Sequence, residues 1–214
     1  MKHITFYFDF ISPYAYLAFE HLPVALQGLS YRVDYKPVLF AGLLKHHGQL
    51  GPAEIAGKRE WTYRQVLWEA HVRGIPMDMP AAHPFNPLAL ARLALACDPQ
   101  GLPNRWVCET IFRHVWRGGQ EAADPGRLQT LVDTLQPERD LADESVKAQL
   151  KAHTEDAIAQ GLFGVPTCAV DGQLFWGLDS LPMLRAWLEG DAWFSEKWDS
   201  VVSIPAGVAR VNKG

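Results

Sequence analysis

Ser12-Pro13-Tyr14-Ala15 lies where a short aromatic run, Phe6-Tyr7-Phe8-Asp9-Phe10, gives way to helix-forming residues. A serine hydroxyl at a helix N-terminus stands beside unpaired backbone N–H groups and the positive end of the helix dipole. That setting favours an anion, and a thiolate in particular. The chain has no sulfur of its own at positions 12 or 15. The junction therefore suits a thiol that arrives with a cofactor, with Ser12 donating its O–H to the sulfur. Ser12 as an attacking nucleophile would need a His/Asp pair, and none is apparent beside it. A Ser followed by Pro is also a good helix cap. The residues alone leave both readings open.

The elements that hold this junction follow from patterning. Residues 3–10 read as a buried strand, and Ser12 opens a helix to about position 27. Residues 30–38 alternate as a second strand, and a right-handed crossover makes the two strands parallel. From 39 to 161 the pattern is helical. Helices fit 54–73, 87–97, 101–118, 124–135 and 143–160, with a Pro-rich loop across 74–87. In the first of these, Trp61, Val66, Leu67 and Ala70 offer a buried face. Thr167-Cys168-Ala169-Val170 and Leu174-Phe175-Trp176 are short strands joined by an Asp171-Gly172 hairpin turn. A last helix starts at Asp179 or Ser180 and reaches Leu188. Residues 191–214 read as an irregular tail anchored by Trp193, Phe194 and Trp198.

This order predicts an α/β chain: a thioredoxin fold with a helical domain inserted between its N-terminal βαβ and C-terminal ββα halves. Residues 1–38 and 162–214 form the thioredoxin-like domain, and 39–161 the insertion, expected to pack as a lobe at the active-site end of the sheet. In such folds the first strand–helix junction carries Cys-x-x-Cys, here Ser12 and Ala15. A cis-proline faces it from just before the third strand. Gly164-Val165-Pro166-Thr167 stands in that place. A cis bond there leaves the N–H and C=O of Val165 free to pair with an extended peptide.

Composition excludes several classes. With 48% hydrophobic and 21% charged residues in 214, a substantial core is available. A net charge of -4 argues against a nucleic-acid footprint. No run approaches the ~20 apolar residues of a membrane span, and the N-terminus lacks a signal-peptide pattern. Cys97, Cys108 and Cys168 are odd in number and widely spaced. They suit neither a disulfide framework nor a zinc site, and buried small hydrophobes in a reduced, cytoplasmic compartment are expected. His46-His47 is half of a metal site at most, so no metal is expected.

Phe8-Asp9-Phe10-Ile11-Ser12-Pro13, Gly164-Val165-Pro166-Thr167 and Phe175-Trp176-Gly177-Leu178-Asp179 together resemble the 2-hydroxychromene-2-carboxylate isomerases. These are relatives of the kappa-class glutathione transferases in the DsbA-like thioredoxin superfamily. The resemblance covers essentially the whole chain. It implies glutathione as cofactor, a small aromatic carboxylate as substrate, and a homodimer. Ser12 is then the catalytic residue that holds the glutathione thiolate. Val165 and Pro166 would hold the cysteinyl part, and Asp179 and Ser180 the γ-glutamyl end. Lys58 would bind the glycyl carboxylate. Lys45 and Asn86 would face the substrate, Asn86 from the rigid segment His83-Pro84-Phe85-Asn86-Pro87. The residue types also allow plainer roles: a cap for Asp179, solvated charges for the lysines, a connecting loop for Asn86. The chain departs from the family at Ser180, where kappa relatives often have Arg, and at Gly48-Gln49-Leu50-Gly51-Pro52, where the usual Asn is missing. A glutathione transferase is the alternative reading. A disulfide oxidoreductase is disfavoured by the absent cysteines.

Overall fold

A central strand explains most of the architecture. β1 (Lys2–Phe8) buries both of its faces toward its C-terminal end. Ile4, Phe6 and Phe8 enter the main core on one side, and Tyr7 joins Val38, Leu43, Ala157, Leu162 and Val165 on the other. Successive side chains of a strand point to opposite faces, so the continuous apolar run Phe6-Tyr7-Phe8 belongs where the sheet is covered on both sides. The computed structural model describes residues 1–205 and 207.

After β1 come α1 (Pro13–Ala25) and β2 (Tyr31–Pro37), then α2 (Phe40–His46), α3 (Ala56–Arg73), α4 (Leu88–Ala96), α5 (Arg105–Trp116), α6 (Pro125–Leu135) and α7 (Glu144–Ala159). β3 (Thr167–Val170), β4 (Gln173–Trp176), α8 (Leu181–Glu189) and a short α9 (Trp193–Lys197) complete the order. The sheet runs β2-β1-β3-β4. β1 and β2 are parallel, as the crossover requires, while β3 and β4 are antiparallel to their neighbours. The hairpin turn has positive φ at both Asp171 (50°) and Gly172 (79°), the geometry that matches strand twist. This is the thioredoxin-type mixed sheet anticipated from the element order.

The helices between β2 and β3 pack directly on the sheet and share its core. Phe112 of α5 packs on Phe8, Phe10 and Phe19 with ring centroids 5.3, 4.8 and 5.0 Å apart. α2 was not anticipated, and tertiary contacts start it: Thr154 accepts from Leu39 N–H at 3.0 Å and Asp9 from Phe40 N–H at 2.9 Å. α3 buries Thr62, Val66 and Ala70, an i, i+4 row, and leaves Trp61 and Leu67 exposed. α5 starts late because Pro103 precedes an Asn104 cap, whose Oδ1 accepts from Val107 N–H at 3.0 Å. The tail holds α9 and a 3-10 turn at Trp198–Val201, with Phe194 and Trp198 packed on Phe175. Residues 206 and 208–214 of that tail lie outside the described residues. No helix among the described residues is long and apolar enough to cross a membrane.

Candidate active site

Ser12 caps α1 and is nearly buried. Its Oγ accepts from Ala15 N–H at 3.2 Å, and its carbonyl accepts from Tyr16 N–H at 3.2 Å. Pro13 has no N–H. That leaves Tyr14 N–H as the open donor of the first turn among the described residues. The Ser12 hydroxyl proton points to the Val165 carbonyl at 3.5 Å, the outer limit of a hydrogen bond. A proton held that weakly can turn to a stronger acceptor, and an ionised sulfur beside a helix N-terminus would be one.

Val165-Pro166 is a cis peptide bond directly opposite Ser12. Among the described residues Val165 N–H has no backbone acceptor, while the Pro166 carbonyl is taken by Gly177 N–H at 2.9 Å. Gly177 has φ +96°, and a Cβ there would collide with the Asp179 carboxylate, so glycine is required where the chain turns toward Asp179. Asp179 is exposed. It adds its charge to those that raise the Tyr14 pKa, behind burial and Glu69, which places it close to the start of α1. Ser180 is buried, and its hydroxyl donates to the Gly177 carbonyl at 2.8 Å instead of capping α8. Phe163 and Trp176 meet edge-on, 4.9 Å apart, both partly exposed at the rim of the Val165 loop. Gly164 permits that arrangement, since a Cβ there would lie 2.6 Å from the Trp176 Nε1.

The remaining candidates are less tightly gathered. Lys58 lies exposed in the first turn of α3 and has no ion-pair partner among the described residues. Two turns on, Gln65 shares its face and accepts from Tyr14 Oη at 2.8 Å. Lys45 is exposed in the last turn of α2, whose end meets the Val165 loop where His47 Nε2 donates to the Leu162 carbonyl at 3.0 Å. Asn86 is exposed, and its Oδ1 is used by Leu88 N–H at 3.0 Å to start α4. No hydrogen bond links Lys45, Lys58 or Asn86 to Ser12 among the described residues.

The family of DSBA-like thioredoxin domains matches residues 3–189. The chain belongs to the DsbA-like thioredoxin family. It is similar to a 2-hydroxychromene-2-carboxylate isomerase of Sphingobium xenophagum, at 29% identity over 195 residues, covering 87% of this chain and 98% of the relative. A glutathione S-transferase kappa 2 of Caenorhabditis elegans is 28% identical over 209 residues, covering 87% and 92%. The solved structure of a 2-hydroxychromene-2-carboxylate isomerase shares the fold, with a TM-score of 0.76 at 22% identity, covering 92% of this chain and 98% of that one.

Within this DsbA-like frame, the cysteines are far from thiolate chemistry. Burial pushes Cys168 up to about 12, and burial with the Glu138 charge pushes Cys97 up to about 11. Burial also raises Cys108 well above the ordinary thiol value. The donor set does fit a peptide thiol: the Ser12 O–H, the open Tyr14 N–H, and the Val165 peptide groups. Sequence reasoning missed Asp9. Its carboxylate is 1% exposed and accepts from Ile11 N–H at 3.2 Å and Phe40 N–H at 2.9 Å. Burial raises its pKa to about 6 against the pull of those donors. A lone acid inside an aromatic run was the available signal.

Proposed function

We propose that the protein is a glutathione-dependent isomerase of the 2-hydroxychromene-2-carboxylate type, interconverting the chromene and the trans-o-hydroxybenzylidenepyruvate. The observation that carries this reading is the Ser12 hydroxyl, at a helix N-terminus without sulfur, loosely bonded to the carbonyl of the cis Val165-Pro166 bond. When bound, glutathione would supply a nucleophilic thiolate for reversible addition to a conjugated double bond, leaving a single bond free to rotate, and would be regenerated unchanged. Ser12 turns its O–H from Val165 to the sulfur, and Tyr14 N–H lies beside it as a second donor. The N–H and C=O of Val165 pair with the cysteinyl backbone. Asp179 takes the γ-glutamyl ammonium, backbone N–H groups near Ser180 its carboxylate, and Lys58 the glycyl carboxylate. The Phe163–Trp176 rim offers exposed aromatic rings for an aromatic substrate, with Lys45 on the adjoining end of α2 for its carboxylate and Asn86 from the insertion. The reading includes a homodimer in the cytoplasm.

The test is Ser12→Ala assayed with glutathione. Turnover should fall and the pKa of the bound thiol should rise. Full turnover with an unshifted thiol would remove Ser12 from the mechanism. The similarity to a kappa glutathione transferase favours a second reading, conjugation of an electrophile. Glutathione concentration separates the two: isomerisation conserves it and conjugation depletes it.

A further inference from the structure

The backbone leading into Ser12 is held by side chains from the inserted helices. Trp116 Nε1–H donates to the Phe10 carbonyl at 3.0 Å. His83 Nε2 lies 2.8 Å from the next carbonyl, that of Ile11, seventy-two positions away in the chain. A carbonyl can only accept, so Nε2 carries the proton. In the neutral ring Nδ1 is then an acceptor, and Tyr63 Oη of α3 lies 2.8 Å from it. Tyr63 Oη also donates to the backbone carbonyl of His83 at 2.8 Å, so its single proton is shared between that carbonyl and Nδ1. The imidazole packs against Tyr63, Trp116 and Phe85, with centroids 5.4, 5.6 and 6.1 Å away. Burial lowers its pKa, so the ring is neutral at neutral pH. The other half of Ile11, its N–H, is held by Asp9. One peptide residue is thus gripped at both ends immediately before the candidate catalytic hydroxyl.

We propose that His83 is a positioning residue: its Nε2–H holds the Ile11 carbonyl and thereby aims the Ser12 hydroxyl at the sulfur site. What Ser12 faces rests on the glutathione reading above; the grip on Ile11 does not. The Ile11 carbonyl, which can only accept, fixes the working tautomer, and Tyr63 buttresses the ring from the Nδ1 side. This also gives the insertion a part in the chemistry at Ser12, which lies outside it. α3 supplies Tyr63, α5 supplies Trp116, and the segment between them supplies His83.

The test compares His83→Leu, which removes the donor, with His83→Gln, whose side-chain amide retains one. In His83→Leu, amide exchange of Ile11 and Ser12 should accelerate about tenfold while β1 is unchanged, and His83→Gln should restore most of the protection. With glutathione bound, the thiol pKa in His83→Leu should rise by about one unit, lowering the thiolate fraction at neutral pH by up to about tenfold, whereas affinity should change by less than about twofold. Unaltered Ser12 exchange in His83→Leu would overturn the proposal. So would an unaltered thiol pKa in a variant that still binds glutathione. Should the wild type bind no glutathione, the functional reading fails while the exchange arm still decides the grip. Nitrogen NMR of the unmodified protein covers variants that do not fold: a proton on Nε2 is expected, and one on Nδ1 alone would refute it.

Discussion

Asp9 should make the protein less stable as pH rises through the weakly acidic range. An Asp in the unfolded chain titrates near 3.8, and in the fold burial lifts it to about 6. Between those values the folded state keeps a proton that the unfolded state has lost. Proton uptake therefore favours folding, and the benefit is fully present below the lower value and lost as pH climbs past the upper one. A difference of about two pKa units corresponds to about 3 kcal/mol in total. The interval from about pH 4.5 to about pH 7.5 captures roughly 2 kcal/mol of it. Urea unfolding of the wild type and of Asp9→Asn at both pH values isolates the effect, because titrations common to both proteins cancel. The wild-type stability minus that of the variant should fall by about 2 kcal/mol across the interval, most steeply near pH 5 and little above pH 7. A difference that stays level or rises with pH would refute the reasoning. It would mean that the Ile11 and Phe40 N–H donors outweigh burial and that the ion is the stable form.

Other consequences follow from the same geometry. All three cysteines should resist alkylation in the native protein and react after unfolding, because burial keeps Cys97, Cys108 and Cys168 protonated; rapid native labelling would contradict this. Gly177→Ala should cost at least ~1 kcal/mol through its positive φ, and should weaken glutathione binding by displacing Asp179; an unchanged melting temperature and affinity would argue against both. Lys58→Ala should weaken glutathione binding about threefold to tenfold with no loss of stability, since the lysine is exposed and makes no ion pair among the described residues. Calorimetry with equal affinities would place the glycyl carboxylate elsewhere.

The strand and helix order was readable because local patterns and tertiary structure agree along most of the chain. The second half of β1 is the apolar run Phe6-Tyr7-Phe8 where the sheet is covered on both faces, Pro13 sits where a first helical turn tolerates it, and Asp171-Gly172 has the turn residues its φ values demand. Where patterns misled, longer-range contacts had decided. α2 begins on bonds to Asp9 and Thr154, which no local window contains. Trp61 looked like core but points outward, because the α3 stripe against α1 is filled by Thr62, Val66 and Ala70. The candidate site divides in the same way. The apposition of Ser12 and Val165 was legible from two motifs at known places in the element order. The roles of Asp9 and His83 were not, because each depends on a partner that the fold alone brings near. Asn86 shows the opposite case, a polar tip whose oxygen is occupied by the local helix start.

The most direct test is a crystal structure of the protein with glutathione. The account predicts the sulfur within hydrogen-bond reach of Ser12 Oγ, the cysteinyl backbone paired with Val165, and the γ-glutamyl end beside Asp179. Glutathione bound with its sulfur turned away from Ser12, or no binding at saturating concentration, would contradict it.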